Sequence, residues 1–283
     1  MTDTPAPNDA PQNDAAPNDS TADDLALALR LADAADAVSL PRFRALDLVV
    51  STKPDRTPVT DADQAVEHAI REELAASRPD DGILGEEYGT HEGHGAGAQR
   101  QWIVDPIDGT ANFLRGVPIW GTLIGLAIDG APVVGVVSAP ALGRRWWGAH
   151  GQGAWARDAT DAVSCRLRVS GVSALADARL SYNSLRGWDD EGRLDQLVEL
   201  TRAVWRASAI GDMWSYMLVA EGAIDIAGEF DLQPYDMAAL QPIVEEAGGR
   251  FSSLDGDAGP WHGSALATNG VLHDEVLRRV ASR

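Results

Sequence analysis

The sequence predicts an α+β fold, and three patterns support this class. The first half of the chain shows two stretches of helical spacing and then apolar runs separated by tight turns, which is typical of helices on a largely antiparallel sheet. The second half alternates short apolar runs with helical spacing, which is typical of an α/β lobe. Apolar residues make up 45% and charged residues 23% of the 283 residues, as in an ordinary globular domain.

In the first half, local signals predict each element in turn. A cap at residue 20 or 21 begins a helix that Pro41 closes, and a second helix runs from residue 61 to residue 76. Loops are expected at residues 53–59 and 88–100. Short apolar runs predict strands, of which the last four form two hairpins, at residues 82–85, 102–104, 119–128, 132–137, 145–147 and 154–156. This half therefore contributes a largely antiparallel sheet.

In the second half, strands and helices are predicted to alternate. The strands are expected at residues 180–183, 224–226, 250–252 and 265–268. The helices are expected at residues 193–204, 213–221 and 236–247 and from residue 273 to the end, with Gly248 as a stop signal after the third. This order favours an α/β lobe.

The division of the chain follows from its composition. Residues 1–20 contain no Leu, Ile, Val or aromatic residue, so they cannot bury enough apolar surface to offset the entropy of ordering them. We expect a disordered acidic tail there and a folded domain over residues 21–283. A boundary near Cys165 is predicted to separate an N-terminal α+β lobe, about 21–165, from a C-terminal α/β lobe, about 166–283.

Charge and cysteine content exclude several classes of partner. The chain has 43 acidic and 23 basic residues, a formal charge of −20, so a nucleic-acid groove lined by Lys and Arg is not expected. No apolar run approaches the roughly 20 residues that span a bilayer, and no secretory signal is recognised. Cys165 is the single cysteine, so no intramolecular disulfide can form. We expect a cytoplasmic protein without membrane or nucleic-acid partners.

The most informative motif is DPIDGT at residues 105–110. An apolar strand leads into two carboxylates and a Gly-Thr turn, and Pro106 is expected to stop the strand so that both carboxylates lie on a loop. Carboxylate oxygens beside a turn whose N–H groups can bind an anion suit Mg²⁺ that bridges a phosphate. A strand-end turn with two capping aspartates has the same sequence, so the motif alone leaves both interpretations open.

Further acidic residues lie where predicted elements begin or end. Glu86 follows a short strand, whereas Asp63 and Asp236 begin helices. Each alone fits a helix cap or a turn. Together with the two aspartates of the DPIDGT motif, they would repel one another at one edge of the fold unless divalent cations compensated their charge.

With these motifs in family order, the chain resembles the inositol monophosphatase-like superfamily of Mg²⁺-dependent phosphatases from about residue 22 to its end. The motifs are Lys53 ahead of VTDAD at residues 59–63, GEE at 85–87, DPIDGT at 105–110 with Asn112 and Phe113, and YDMAA at 235–239. The resemblance implies a layered αβαβα sandwich of the inositol monophosphatase/sugar phosphatase type and a homodimer. It also implies a small phosphorylated metabolite as substrate.

Within the superfamily, the chain is most similar to actinobacterial histidinol-phosphatases. RGVP at residues 115–118, GDMWSY at 211–216 and VAEGA at 219–223 carry this similarity. It implies hydrolysis of L-histidinol phosphate to L-histidinol in histidine biosynthesis. Direct attack by a metal-activated water would invert the configuration at phosphorus.

The resemblance also implies roles for single residues, with two or three Mg²⁺ ions in the site. The metal ligands would be Asp63, Glu86, Asp105, the carbonyl oxygen of Ile107, Asp108 and Asp236. Asp105 would be shared by two ions, and Asp63 and Glu86 would act on a looser third ion. Asp63, Glu86 and Thr110 would form the catalytic group that orients the attacking water.

Substrate-binding residues are implied in the same way. The backbone amides of Gly109 and Thr110 would bind phosphate. Asp212, Glu229 and Asp236 would contact the rest of the substrate, because a cationic end favours carboxylates. Asp212 could instead cap the helix that starts at Met213, and Glu229 could lie on a surface loop. Trp214 and Tyr216 are expected in the core.

Three alternatives use the same motifs. A haloacid-dehalogenase-type phosphatase has a nucleophilic Asp in an Asp-x-Asp pattern, but Asp105 and Asp108 lie one residue further apart. Inositol-1-monophosphatase and nucleotide 3′-phosphatase activities are the alternatives within the superfamily. A catalytically silent protein that binds a phosphate ligand would be a regulator; the complete ligand set argues against it.

Overall fold

The computed structural model describes residues 19–52, 58–97 and 99–282. The predicted tail up to residue 18 and Lys53 lie outside the described residues. The α-helices of the described part, numbered α1 to α9, are Asp19–Arg42, Asp61–Ser77, Thr110–Leu114, Leu185–Asp190, Leu194–Ala203, Asp212–Ala220, Pro234–Met237, Leu240–Glu246 and His273–Val280. No described helix is both long and apolar enough to cross a bilayer.

The strands of the described part are numbered β1 to β15. They are Val50–Thr52, Pro58–Thr60, Gly82–Gly85, Gly89–His91, Arg100–Asp108, Gly121–Ile128, Ala131–Ala139, Arg144–Ala149, Gly153–Asp158, Cys165–Arg166, Arg179–Tyr182, Arg206–Ala209, Ile226–Phe230, Arg250–Ser252 and Ser264–Thr268.

Two sheets organise these elements. The larger has eight strands in the order β10-β9-β8-β7-β6-β5-β3-β4, and its pairs are antiparallel except β3 with β5. The smaller has five strands in the order β12-β11-β13-β15-β14, of which the first three are parallel. The short pair β1–β2 is separate. The two hairpins predicted from residues 119–137 and 145–156 are confirmed.

Three helical layers enclose the two sheets. α1 and α2 pack their apolar faces on one side of the eight-stranded sheet. α6 and α8 fill the space between the two sheets, and α5 and α9 cover the outer face of the five-stranded sheet. The result is a layered αβαβα sandwich, which confirms the predicted α+β class. The division into lobes at residues 165 and 166 stays a prediction.

Four predictions of element bounds are wrong, the first three for identifiable reasons. β5 does not stop at Pro106 but continues to Asp108 through a register irregularity. The helix predicted at 236–247 is interrupted between α7 and α8, where Pro242 has no N–H for the carbonyl of Ala238. The strand predicted at 224–226 starts at Ile226, because the Asp225 side chain accepts a hydrogen bond from the backbone N–H of Arg179. Residues 88–100, predicted as a loop, include β4.

Candidate active site

A β-bulge places the two aspartates of the DPIDGT motif on one side of the sheet. Asp105 pairs with Leu123 and Asp108 with Gly121, so β5 holds one residue more than β6 between these pairs. Side chains three positions apart on a regular strand point to opposite faces, and the extra residue cancels this alternation. Pro106 lies in the bulge, where its missing N–H costs no ladder bond. An Asp-x-Asp pattern has one residue between its two aspartates. The additional residue in this motif is therefore the one that forms the bulge.

Three carboxylates converge beside the bulge. Each of Asp105, Asp108 and Asp236 contributes one carboxylate oxygen, and these three oxygens lie within 4.8 Å of one another. Asp105 Oδ1 accepts the N–H of Ile107 at 2.9 Å, which holds the bulge in shape. Asp236 is placed by the first turn of α7, where its Oδ2 accepts the N–H of Gln233 at 2.7 Å.

Glu86 reaches the same cavity from the end of β3. Its backbone N–H donates to the carbonyl of Val104 at 3.2 Å, which extends the parallel pairing of β3 with β5 by one bond. The end of β3 therefore lies beside the bulge of β5. The charge of Glu86 raises the pKa values of Asp105 and Asp63.

Asp63 and Thr110 form a linked pair at the edge of this cluster. Asp63 is fully buried in the first turn of α2, where its Oδ2 accepts the N–H of Thr60 at 2.8 Å in a capping box. Its Oδ1 accepts the Thr110 hydroxyl at 3.3 Å, and the same hydroxyl lies 3.0 Å from the carbonyl oxygen of Ile107. Gly109, at a φ of 80°, makes the left-handed turn that brings Thr110 to this position.

The carboxylates raise one another's pKa values. Burial raises the pKa of Asp105 well above its ordinary value, and the charges of Glu86, Asp108 and Asp236 raise it further. Burial and then the charge of Asp212 raise the pKa of Asp108. Burial is the main cause that raises the pKa of Asp236 to about 7. Such a cluster carries uncompensated negative charge, which a divalent cation would neutralise.

The cluster lines a cavity of about 270 Å³. Its acidic lining residues are Glu86, Asp105, Asp108, Asp212, Glu229, Asp231 and Asp236. Among the described residues that line it, none is Lys, Arg or His. The donor set is entirely oxygen and densely negative, and it therefore fits Mg²⁺ rather than a softer metal.

Asp212 lines the same cavity and is held by α3, the short helix after the motif. Asn112 donates its amide to Asp212 Oδ2 at 3.0 Å, and Asp212 begins α6 at a φ of 49°. Asp212 is the first helical residue of α6, where Gly211 is the N-cap and no side-chain capping bond forms, so the capping alternative is wrong, and Asp212 lines the cavity.

Glu229 is a buried residue of β13, not a surface-loop residue. Its exposed fraction is 4%, and burial raises its pKa to about 8, with further contributions from the charges of Asp212 and Asp236. Hydrogen bonding to Tyr216 and to Asn183 partly offsets this rise in the pKa of Glu229. Glu229 and Tyr216 both line the cavity, so a ligand there meets this polar pair.

Sequence reasoning missed three residues of this site, two of which line the cavity. Tyr216 was expected in the core; it is buried, but it also lines the cavity, whereas Trp214 packs edge-on against Trp146 as a core residue. Asn183 lines the cavity at the end of β11, next to Gly211. Asn112 does not line the cavity but holds Asp212 through its side-chain amide. None of these has a local signal, because their contacts come from distant parts of the chain.

Similarity to known proteins agrees with this geometry. The profile of the inositol monophosphatase family matches residues 22–283. The histidinol-phosphatase of Mycobacterium tuberculosis is 58% identical over 258 residues, spanning 91% of this chain and 98% of that protein. The histidinol-phosphatase of Streptomyces coelicolor is 56% identical over 260 residues, spanning 90% and 96%.

Solved structures show the same fold. An inositol monophosphatase from Zymomonas mobilis superposes with a TM-score of 0.79 at 33% identity, covering 92% of this chain and 98% of that one. The extragenic suppressor protein SuhB from Bartonella henselae superposes with a TM-score of 0.82 at 28% identity, covering 92% and 99%. The chain belongs to the inositol monophosphatase family, whose members are in general Mg²⁺-dependent. It is an enzyme, a phosphatase.

Proposed function

We propose that this phosphatase hydrolyses L-histidinol phosphate to L-histidinol and phosphate. The observation that carries the proposal is the acidic lining of the cavity beyond the carboxylate cluster; this acidic wall contains Asp212 and Glu229, and no described residue that lines the cavity is basic. Histidinol phosphate has an ammonium group and an imidazole at the end opposite its phosphate. The similarity to two histidinol-phosphatases over most of the chain supports the same substrate.

The buried wall favours a cation for an electrostatic reason. Burial disfavours the charged form of Glu229, and a cation beside it would compensate this cost. The carboxylate and the Tyr216 hydroxyl also offer hydrogen-bond partners to ammonium and imidazole N–H groups. An inositol phosphate has only hydroxyl groups to offer there and would not compensate the cost of the charged form of Glu229.

The residues proposed to hold Mg²⁺ are Asp63, Glu86, Asp105, Asp108, Asp236 and the carbonyl of Ile107. When bound, the metal lowers the pKa of a water molecule and neutralises the charge on the leaving oxygen. The number of ions, two or three, is part of the proposal. The convergence of oxygens from Asp105, Asp108 and Asp236 within 4.8 Å supports the proposal of a cation site at these three residues.

Thr110 and Asp63 are proposed to orient the attacking water. When the Thr110 hydroxyl donates its proton to Asp63 or to the Ile107 carbonyl, its oxygen lone pair can accept a hydrogen bond from water. That bond turns a lone pair of the water toward phosphorus. The backbone amides of Gly109 and Thr110 would hold the phosphate, and Asp236 would contact the substrate beside it.

A direct assay tests the proposal. Initial rates with histidinol phosphate, inositol 1-phosphate and adenosine 3′,5′-bisphosphate are compared at equal Mg²⁺, with and without a chelator. We expect the highest kcat/KM for histidinol phosphate and loss of all activity with the chelator. A preference for either other ester would replace the proposed substrate by that alternative, and absence of turnover with all three would favour a silent binding protein.

We further propose that the enzyme acts in histidine biosynthesis, in the cytoplasm, as a homodimer. The resemblance to the family supports the dimer, and the substrate assignment supports the pathway. Sedimentation velocity of the purified chain tests the dimer.

A further inference from the structure

The turn that carries Glu86 rests on a carboxylate buried beneath it. Glu86, Glu87 and Tyr88 connect β3 to β4. Glu67, on α2, is fully buried, and its Oε2 accepts the backbone N–H of Glu87 at 2.7 Å. Its Oε1 accepts the backbone N–H of Tyr88 at 3.2 Å. One side chain therefore binds two successive amides of the turn.

Arg71 completes the hydrogen bonding of this carboxylate. Its Nε donates to Glu67 Oε1 at 2.8 Å, and its Nη2 donates to the carbonyl of Gly89, where β4 begins. The charge of Glu67 is thus paired and both its oxygens accept hydrogen bonds, as a buried carboxylate requires. Glu67 is not among the residues that line the cavity, so its contact with the site goes through the turn.

The residue type at position 85 depends on the same carboxylate. A Cβ atom at Gly85 would lie 2.0 Å from Glu67 Oε1, and its three nearest neighbours would all be Glu67 side-chain atoms. Glycine at this position therefore admits the Glu67 carboxylate below the turn. On the side of the turn that faces β5, the N–H of Glu86 donates to the carbonyl of Val104. The backbone of Glu86 is held between these two attachments.

We propose that Glu67 is a positioning residue, which sets the metal affinity of the active site by fixing the turn that presents Glu86. The inference rests on the proposed metal site but not on the identity of the phosphate ester. Groups that orient a metal ligand from behind typically change metal affinity by about 10- to 100-fold when they are removed.

The test is metal binding by Glu67→Gln without substrate. Glutamine keeps the shape but places an NH₂ group against a backbone N–H or against Arg71. We expect Mn²⁺ binding measured by electron paramagnetic resonance, with Mg²⁺ as competitor, to weaken by about 10- to 100-fold. The thermal midpoint in a chelator is expected to fall, because the buried ion pair with Arg71 is lost, so binding is compared at a temperature at which both chains are folded. Glu72→Gln, an exposed change on the same helix, is the matched control and is expected to bind like the wild type.

A double-mutant cycle adds a result that general destabilisation would not give. Gly85→Ala and Glu67→Ala are each expected to weaken Mn²⁺ binding. The double variant is expected to bind no more weakly than Glu67→Ala, because truncation of Glu67 leaves room for the new methyl group. Additive losses would overturn the proposal, since they would mean that the two positions act separately.

The outcomes separate this inference from the proposed function. If the wild type binds Mn²⁺ and Glu67→Gln binds it equally well, only the positioning role is overturned. A wild-type chain that binds no Mn²⁺ overturns the metal site and this inference with it. If Glu67→Gln does not fold, Arg71→Gln removes one donor from the same carboxylate, and binding equal to that of the wild type would again overturn the role.

Discussion

The backbone N–H of Met213 donates a hydrogen bond to Asp108 Oδ2 at 2.8 Å, across 105 positions of the sequence. This bond joins the first turn of α6 to the bulge of β5. Asn112, in the short helix α3 that follows β5, donates to Asp212 at 3.0 Å and forms a second link to α6. One oxygen of Asp108 therefore fixes the two halves of the chain to each other, and residues from both halves complete the cavity.

Asp108→Asn removes the charge of this side chain but keeps its hydrogen bond to the N–H of Met213. The amide oxygen can still accept the Met213 N–H, but a carboxylate proposed to bind Mg²⁺ is lost. We expect kcat to fall by about 1000-fold or more, because metal coordination accounts for several kcal/mol of the catalytic effect. In a chelator, the variant is expected to melt at the same or a higher temperature than the wild type, since burial and Asp212 disfavour the charged form of Asp108. Unchanged turnover would contradict the metal assignment.

Gly135→Ala tests how the sheet supports Asp236. A Cβ atom at Gly135 would lie 2.0 Å from the carbonyl oxygen of Ala239, in the segment that follows α7. We expect a loss of about 1–3 kcal/mol in the free energy of unfolding and weaker Mg²⁺ binding, because the backbone beyond Asp236 must move. Gly171→Ala is the control, since a Cβ there meets no atom within 4 Å and is expected to cost less than about 0.5 kcal/mol. Urea unfolding measures both, and equal stability of the two variants would refute the packing argument.

Glu229→Gln tests the acidic wall as the site of the substrate's cation. We expect the KM for histidinol phosphate to rise about tenfold or more, since hydrogen bonds to charged groups contribute about 1.5–3 kcal/mol. Hydrolysis of an uncharged alcohol's phosphate ester is expected to change much less. Asp231→Asn, an exposed carboxylate at the rim of the same cavity, is the matched control and should leave both KM values near those of the wild type. An equal rise in KM for both substrates would instead assign Glu229 a general structural role.

Features encoded by neighbouring residues could be predicted from the sequence. The capping box that places Asp63 needs only Thr60 three positions earlier, and the hairpins follow from apolar runs around a turn. The DPIDGT motif also indicated its chemistry, because carboxylates beside a Gly-Thr turn suit a metal and a phosphate. These signals lie within a few residues of the groups that they place.

Features that depend on partners distant in sequence could not be predicted. The bulge at Asp105 exists only relative to β6, so the sequence suggested that Pro106 ends the strand. Glu67 resembles a solvent-exposed helix residue until β3 and its turn are placed against it. Tyr216 has the apolar body of a core residue, and its neighbours do not reveal that its hydroxyl meets a cavity. Burial and register are properties of the folded chain in these cases.

Thr110→Val tests the orientation of the attacking water. Valine keeps the shape of threonine but has no hydroxyl, so the contacts with Asp63 and the Ile107 carbonyl are lost. We expect kcat to fall by about 100-fold with little change in KM, a size typical of lost acid–base or orienting groups. Thr110→Ser, which keeps the hydroxyl, is expected to retain most of the activity. Equal rates for the valine and serine variants would exclude a role for the hydroxyl.

His273 forms a buried polar contact far from the cavity. Its Nε2 lies 2.9 Å from the Ser252 hydroxyl, and its Nδ1 lies 3.0 Å from the Thr268 hydroxyl. Ser252 also donates to the carbonyl of Ser253 at 2.7 Å, so it accepts from Nε2–H, and Thr268 donates to Nδ1. This arrangement fits the neutral imidazole. Burial, and then the charge of Arg250, lower the pKa of His273 to about 4, against a smaller opposite effect of Asp274.

The contribution of His273 to the stability of the fold is therefore predicted to decrease as pH falls from about 6.5 to about 4, whereas the raised pKa values of Asp236 and Glu229 act in the opposite direction. In this window the unfolded chain binds a proton at His273 that the folded chain does not, so acid favours unfolding. Across the whole window the loss is on the order of 3 kcal/mol. His273→Asn, which keeps a donor and an acceptor without titrating, is expected to remove this contribution, so that its free energy of unfolding falls less, or rises more, than that of the wild type as pH decreases over the window. His68→Asn, an exposed change on α2, should keep the wild-type slope. Urea unfolding of both variants over this range decides the matter: equal slopes in the two would show that the acid sensitivity comes from other groups.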